Sequence, residues 1–125
     1  MEVMRLIWKL DKNRPVCPQI CEMLCVSIAN GTYGPEQRLP SVREIATGLG
    51  VNPNTVQRAL ETLEEQELLY SMRGSGWYVG QDIHRAGEVL DRMRRDKTAA
   101  FFSEMEMLGM SPKEVITFIK TYERE

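Results

Sequence analysis

No run of apolar residues in this chain of 125 residues approaches the roughly 18 needed to cross a bilayer. The opening Met1-Glu2-Val3-Met4-Arg5 leads into only a brief apolar patch, so no signal peptide is expected. A soluble, cytoplasmic protein without a membrane partner is the expectation. Histidine occurs once, at His84, with no evident partner, which leaves no nucleophile-and-base pair for catalysis. No glycine-rich phosphate loop precedes a helix, because Arg73-Gly74-Ser75-Gly76 lies between two strand-like runs. An enzyme is therefore not expected, and neither is a cofactor or a metal. Basic residues do not predominate either: 16 Lys and Arg stand against 18 Asp and Glu, a net charge of −2. The sum alone gives no argument for a polyanionic partner.

Cysteine is scarce but patterned. Cys17, Cys21 and Cys25 recur every four residues, which lines them along one drifting stripe of a helix. Three thiols on one face suit a thiol or metal sensor, since thiolates bind soft metals and oxidise reversibly. A zinc site, however, draws ligands from two separated groups, and no second group exists here. Cysteine is also a common small core residue. Packing is the preferred account, and sensing stays as an alternative.

What the chain does carry is concentrated in residues 39–79. Val42, Ile45, Ala46 and Leu49 fall at i, i+3, i+4 and i+7, and Val56, Ala59, Leu60 and Leu63 repeat the spacing. Each set makes a single apolar stripe on a short helix. Ser41 and Glu44 have the spacing of a capping box. Asn52 is placed to cap the second helix, with Pro53 at its first position, where the missing N–H costs nothing. Gly48-Leu49-Gly50-Val51 supplies the small residues of a sharp turn between them. This is the pattern of a helix-turn-helix.

Opposite the second apolar stripe lie Asn54, Thr55, Gln57 and Arg58, in the opening turns of the helix that would enter a major groove. Amides pair with adenine, arginine with guanine, and threonine with phosphate or the thymine methyl group. Glu61, Glu64, Glu65 and Glu67 gather at the other end, so the N-terminus is the end turned toward phosphate. An ordinary solvated helix face is the bland account of the same residues. Next, residues 68–71 and 77–79 are apolar and aromatic runs on either side of a glycine-containing loop, the signature of a β-hairpin. A hairpin directly after a helix-turn-helix is a wing, with Arg73 at its tip. Arg38, Arg43, Arg58 and Arg73 would then share one face despite the acidic total.

The runs LPSVREIA, GVNPNTVQRALETLE and LLYSMRGSGWYV resemble the DNA-binding domain of the GntR family of bacterial transcription regulators. The resemblance covers about half the chain, and the Asn-Pro-Asn-Thr run with a short C-terminal extension is similar to the YtrA-like subfamily. It implies DNA contact from Ser41, Arg43, Asn52, Asn54, Thr55, Gln57, Arg58 and the wing residues Arg73, Gly74, Ser75 and Gly76, and Arg38 is expected to join them from the shared basic face. Many family members carry arginine where this chain has Pro53 and Gln57, which implies a different operator.

Before this motif, residues 6–10 read as a short extended segment. Residues 16–30 read as a helix that buries Ile20, Met23, Leu24 and Ile28 and ends at Gly31. After it, residues 81–125 contain no strand signal and divide into two helices. The first, over about residues 84–108, carries Ala86, Leu90, Met93, Ala100, Phe101 and Leu108 toward one side. Ser111-Pro112-Lys113-Glu114 opens the second, which bears Val115, Ile116, Phe118, Ile119 and Tyr122. Two such helices hold more apolar surface than they can cover between them. Leu90, Phe101, Met105, Leu108, Ile116, Phe118, Ile119 and Tyr122 are accordingly expected at a two-fold homodimer interface. The Met-rich stretch offers, as an alternative, a pocket for a small-molecule effector.

The expected architecture is thus mainly α with a small β-hairpin. A winged helix-turn-helix over residues 1–80 precedes a two-helix dimerisation region over residues 81–125. The expected function is a homodimeric regulator, more readily a repressor, on inverted-repeat double-stranded DNA. A winged-helix protein-interaction adaptor is the alternative from another class.

Overall fold

The computed structural model describes residues 9–122. Among them run α1 (Val16–Ala29), α2 (Val42–Leu49), α3 (Pro53–Glu65), β1 (Leu69–Met72), β2 (Gly76–Val79), α4 (Ile83–Met107) and α5 (Pro112–Thr121). The chain divides into two compact units, one ending at Leu90 and the other beginning at Asp91. The extended segment expected at residues 6–10 falls mostly outside the described residues.

The first unit is built on three helices whose apolar stripes converge. Ile20, Leu24 and Ile28 of α1, Ile45 and Ala46 of α2, and Val56, Ala59, Leu60 and Leu63 of α3 are all buried. Local chemistry sets each helix end. Ser41 Oγ accepts from Glu44 N while Glu44 Oε1 accepts from Ser41 N, so the capping box at α2 is complete. Asn52 Oδ1 accepts from Asn54 N at 2.7 Å at the start of α3. Between these helices Gly50 sits at φ +70° and Val51 N donates to Ala46 O. The left-handed residue that ends α2 there is cheap for glycine and strained for any other side chain. At α1 the cap residue is Pro15, which offers no side-chain acceptor. The buried Gln19 instead ties the preceding loop to the helix: its Nε2 lies within hydrogen-bonding distance of the carbonyls of Asp11, Arg14 and Pro15, which share its two N–H donors, and its Oε1 accepts from Asp11 N. Sequence reading assigned Gln19 no role, because one glutamine in an apolar helix carries no local signal.

β1 and β2 pair antiparallel, with Leu69 opposite Val79 and Met72 opposite Gly76. The stretch from residue 36 to 39 lies along the outer edge of β2. Leu39 N donates to Trp77 O, Val79 N to Gln37 O and Glu36 N to Val79 O, each at 2.9 Å. This third rung uses backbone groups that would otherwise form an open sheet edge.

Ten residues expected in the C-terminal region, 81–90, belong with the first unit. Ala86, Val89 and Leu90 are buried there, and Arg85 Nε donates to Gln66 O at 3.0 Å. Leu90 was expected at the dimer interface. At 8% exposure in the chain, it has little surface left to offer a second chain. The period that put Leu90 on one side of a long helix could not tell which neighbour that side meets.

The cysteine stripe is part of this core. Cys21 Sγ lies 3.5 Å from Ala59 O and Cys25 Sγ 3.5 Å from Ala86 O, both thiols being buried and donating weakly. Burial, with a smaller contribution from neighbouring Cys17, pushes the Cys21 thiol up to about 12. A thiol so far above neutrality is almost wholly protonated and is a poor nucleophile and metal ligand. No group of three or more His, Cys, Asp or Glu able to hold a metal occurs among the described residues.

In the second unit α4 ends in a turn closed by Met110 N donating to Met105 O and Gly109 N to Glu106 O. Ser111 and Glu114 form a second complete capping box at the start of α5. Val115 is buried, while Phe101, Met107, Leu108, Ile116, Phe118, Ile119 and Tyr122 are exposed and Met105 is half-buried. The packing account of the cysteines predicts that iodoacetamide, applied to the native protein, alkylates Cys17 and spares Cys21 and Cys25. Mass spectrometry of the digested protein reads the result. Native adducts at Cys21 or Cys25 would overturn that account.

Candidate nucleic-acid interface

The direction of α3 is set by what it hides. With Val56, Ala59, Leu60 and Leu63 turned into the core, the exposed positions of its first turns are Asn54 and Arg58, with Thr55 and Gln57 half-buried beside them. Asn52 is exposed too, and its Oδ1 is occupied by the cap, which leaves its NH2 group as the outward-facing donor. At the head of α2, Arg43 is exposed and Ser41 half-buried. Because Ser41 Oγ is the acceptor of the capping bond, its hydroxyl hydrogen stays available to an anion.

In the wing, Ser75 N donates to Met72 O at 2.8 Å, and this turn places Arg73 and Gly74 at the exposed tip. Two features hold the tip in shape. Tyr70 and Tyr78 stack across the strands with ring centroids 5.6 Å apart and an interplanar angle of 18°. The Tyr78 hydroxyl is hydrogen-bonded to Ser75 Oγ. The tyrosines were legible only as strand formers, since which rings stack depends on the hairpin register.

Arg38 joins this wing to the helix-turn-helix. It pairs with Tyr78 as an isolated bridge, and its guanidinium lies against the backbone of Gly76. Gly76 has φ +113°, a conformation that favours glycine, and a Cβ there would stand 3.2 Å from Arg38 Nε, so the guanidinium would have to shift slightly. Arg38 additionally reaches the field of Glu44. That carboxyl lies below the usual glutamate range, held first by the Ser41 backbone N–H, then by the Ser41 hydroxyl, with Arg38 assisting. On α3, Gln57 Nε2 donates to Glu61 Oε2 at 3.0 Å. By charge alone Glu61 belongs to the acidic far end of the helix. Its i+4 spacing from Gln57 was the signal for this contact.

Donors therefore line the head of α2, the first turns of α3 and a glycine-bearing wing tip, on one compact unit. A sequence profile described as "Bacterial regulatory proteins, gntR family" matches residues 18–79. A GntR family transcriptional regulator from Listeria monocytogenes is 38% identical and superposes with a TM-score of 0.75. The alignment covers 91% of this chain and all of that one. The chain belongs to the GntR family. It is a DNA-binding transcription regulator with a winged helix-turn-helix. The transcriptional repressor YtrA of Bacillus subtilis is 37% identical over 70 residues, which are 56% of this chain and 54% of that protein. The DNA-binding domain of AraR, solved in complex with its operator ORX1, is 30% identical with a TM-score of 0.53. That likeness covers 60% of this chain and 92% of the AraR domain.

The GntR-type head of α2 yields a pH prediction. A depressed folded-state pKa contributes stability that is present above the ordinary glutamate pKa and lost as pH falls through the lower folded value. Urea unfolding should therefore show wild type more stable than Glu44→Gln at about pH 7, with the difference shrinking as pH falls through and below the ordinary glutamate range. A difference that persists unchanged in acid would show that the Glu44 charge is not its source.

Proposed function

We propose that this GntR regulator is a cytoplasmic homodimeric repressor that binds an inverted-repeat operator, with recognition rather than turnover as its activity. The observation that carries this reading is the outward stripe of α3, where Asn54, Gln57 and Arg58 stand opposite a fully buried apolar stripe. Asn54, Gln57 and Arg58 read base edges, with Thr55 on phosphate or a thymine methyl group. Ser41, Arg43 and Asn52 hold the flanking phosphates, and Arg73 to Gly76 bring the wing backbone against the duplex. Arg38 serves both the duplex and the wing. Among the described residues no helix is long and apolar enough to cross a membrane.

The dimer rests on the second unit. Leu108 is 78% exposed and Tyr122 64%, with Phe101, Ile116, Phe118 and Ile119 between 40% and 49%. Apolar side chains this large, gathered in one short segment, are the kind of surface that a partner covers. A second copy is the economical partner, because two-fold symmetry doubles the buried area and places two recognition helices on one operator. An open, shallow groove of about 380 Å³ beside this face is lined by Met110, Lys113, Glu114, Thr117, Phe118 and Thr121. Repression requires only that the dimer occupy DNA overlapping a promoter, and the similar YtrA protein of Bacillus subtilis is named a repressor.

Two substitutions test the division of labour. Arg58→Ala should lower affinity for the operator by about tenfold or more while changing affinity for random duplex far less. Equal losses on both would assign Arg58 to phosphate. Phe118→Asp should shift the protein to monomers in sedimentation and weaken operator binding, with the thermal transition of the winged unit retained. A variant that still sediments as a dimer would refute this interface.

A further inference from the structure

The hydrogen bond between Gln57 and Glu61 does more than stabilise a helix. A side-chain amide has two poles, an acceptor oxygen and a donor NH2 group, and a free glutamine can present either one to a base. Glu61, as a carboxylate, has only acceptors to offer, so it can bind Gln57 through the NH2 group alone. The 3.0 Å contact from Gln57 Nε2 to Glu61 Oε2 therefore also fixes where the oxygen is: Oε1 is the pole turned away from Glu61. Gln57 is half-buried and Glu61 exposed, and both lie outside the core stripe of α3 with Asn54 and Arg58. Their i,i+4 spacing stacks Glu61 one turn beyond Gln57, on the side away from the N-terminus of the helix.

We infer that Glu61 is a positioning residue for base recognition, fixing the Gln57 amide so that its oxygen meets an exocyclic amino group of a base in the major groove. The inference rests on the DNA-reading role of α3 proposed above. In the major groove, adenine N6 and cytosine N4 are donors, whereas guanine and thymine present acceptors at the corresponding position. Glu61 uses one of the two N–H donors of Gln57, and the other stays free. Adenine satisfies both the oxygen, through N6, and the remaining N–H, through N7. Cytosine satisfies the oxygen only. Guanine O6 and thymine O4 face the oxygen with lone pair against lone pair, a repulsion that excludes as well as selects. The order at the base facing Gln57 is adenine, then cytosine, with guanine and thymine disfavoured. A glutamine with no fixing partner can turn its amide over, so Glu61 adds discrimination without itself touching DNA.

Two measurements on the intact protein test this. In the DNA-free protein, the side-chain NH2 resonances of Gln57 should shift as Glu61 is protonated and should lose that response in Glu61→Ala. Gln57 resonances insensitive to both changes would overturn the inference without bearing on DNA binding. The second is a selection from random duplexes, run in parallel on wild type, Gln57→Ala and Glu61→Ala. Wild type should enrich adenine at one position in each half-site. Gln57→Ala should abolish that preference, and Glu61→Ala should reduce it roughly tenfold at the same position while sparing the others. The Glu61→Gln variant, which can donate as well as accept, should relax the preference too. An enriched motif that Glu61→Ala reproduces at every position would overturn the inference and leave the proposed function standing. So would guanine or thymine at the Gln57-dependent position. Failure of wild type to enrich any motif would remove both.

Discussion

The packing of α3 is the constraint on which the rest depends. Val56, Ala59, Leu60 and Leu63 are each fully buried, and together they fix both the position of the helix and its rotation. Turning α3 by one residue would bring Gln57 or Arg58 into the core and take apolar side chains out of it. Each such side chain is worth roughly 1.5–3 kcal/mol when buried, and an unpaired buried charge adds a penalty of several more. No combination of surface contacts could offset that sum. The residues that face outward therefore face outward because of what the others hide. Recognition in this protein is a consequence of core packing.

The same logic extends outward from α3 by short links. The capping box of Ser41 and Glu44 and the Asn52 cap hold the two helix N-termini without using up every donor. Arg38 then ties the start of α2 to the wing at Gly76, and the Tyr70–Tyr78 stack stiffens the hairpin behind it. Helix starts and wing tip are thus connected through neighbouring groups and not merely through the chain. The net charge of −2 does not oppose the proposed interface, since phosphate contacts in general are local and their salt dependence follows their number.

How much of this was legible beforehand depended on the range of the interaction. The helix-turn-helix, both capping boxes and the hairpin are written in spacings of two to four residues, and the three segments that carry them resemble a known family. The apolar excess of residues 91–122 was also readable, since Phe101, Leu108, Phe118 and Ile119 have too few neighbours in sequence to cover them. What escaped were contacts between residues far apart or without a distinctive pattern. Gln19 as a clamp on residues 11–15, the strand-like path of residues 36–39 beside β2 and the burial of Leu90 all depend on where the chain returns in space. The Gln57–Glu61 bond was local enough to have been seen. Its charge groups Glu61 with Glu64, Glu65 and Glu67, while its i,i+4 spacing from Gln57 is the signal for the contact.

The central claim is that two copies present two such faces to one duplex, and the footprint of the complex tests it most directly. Hydroxyl-radical cleavage of a duplex enriched by the protein should show two protected tracts related by a two-fold axis. Their centres should lie about one helical turn, or a whole multiple of it, apart. A single protected tract at saturating protein, with no symmetry-related partner, would contradict the account.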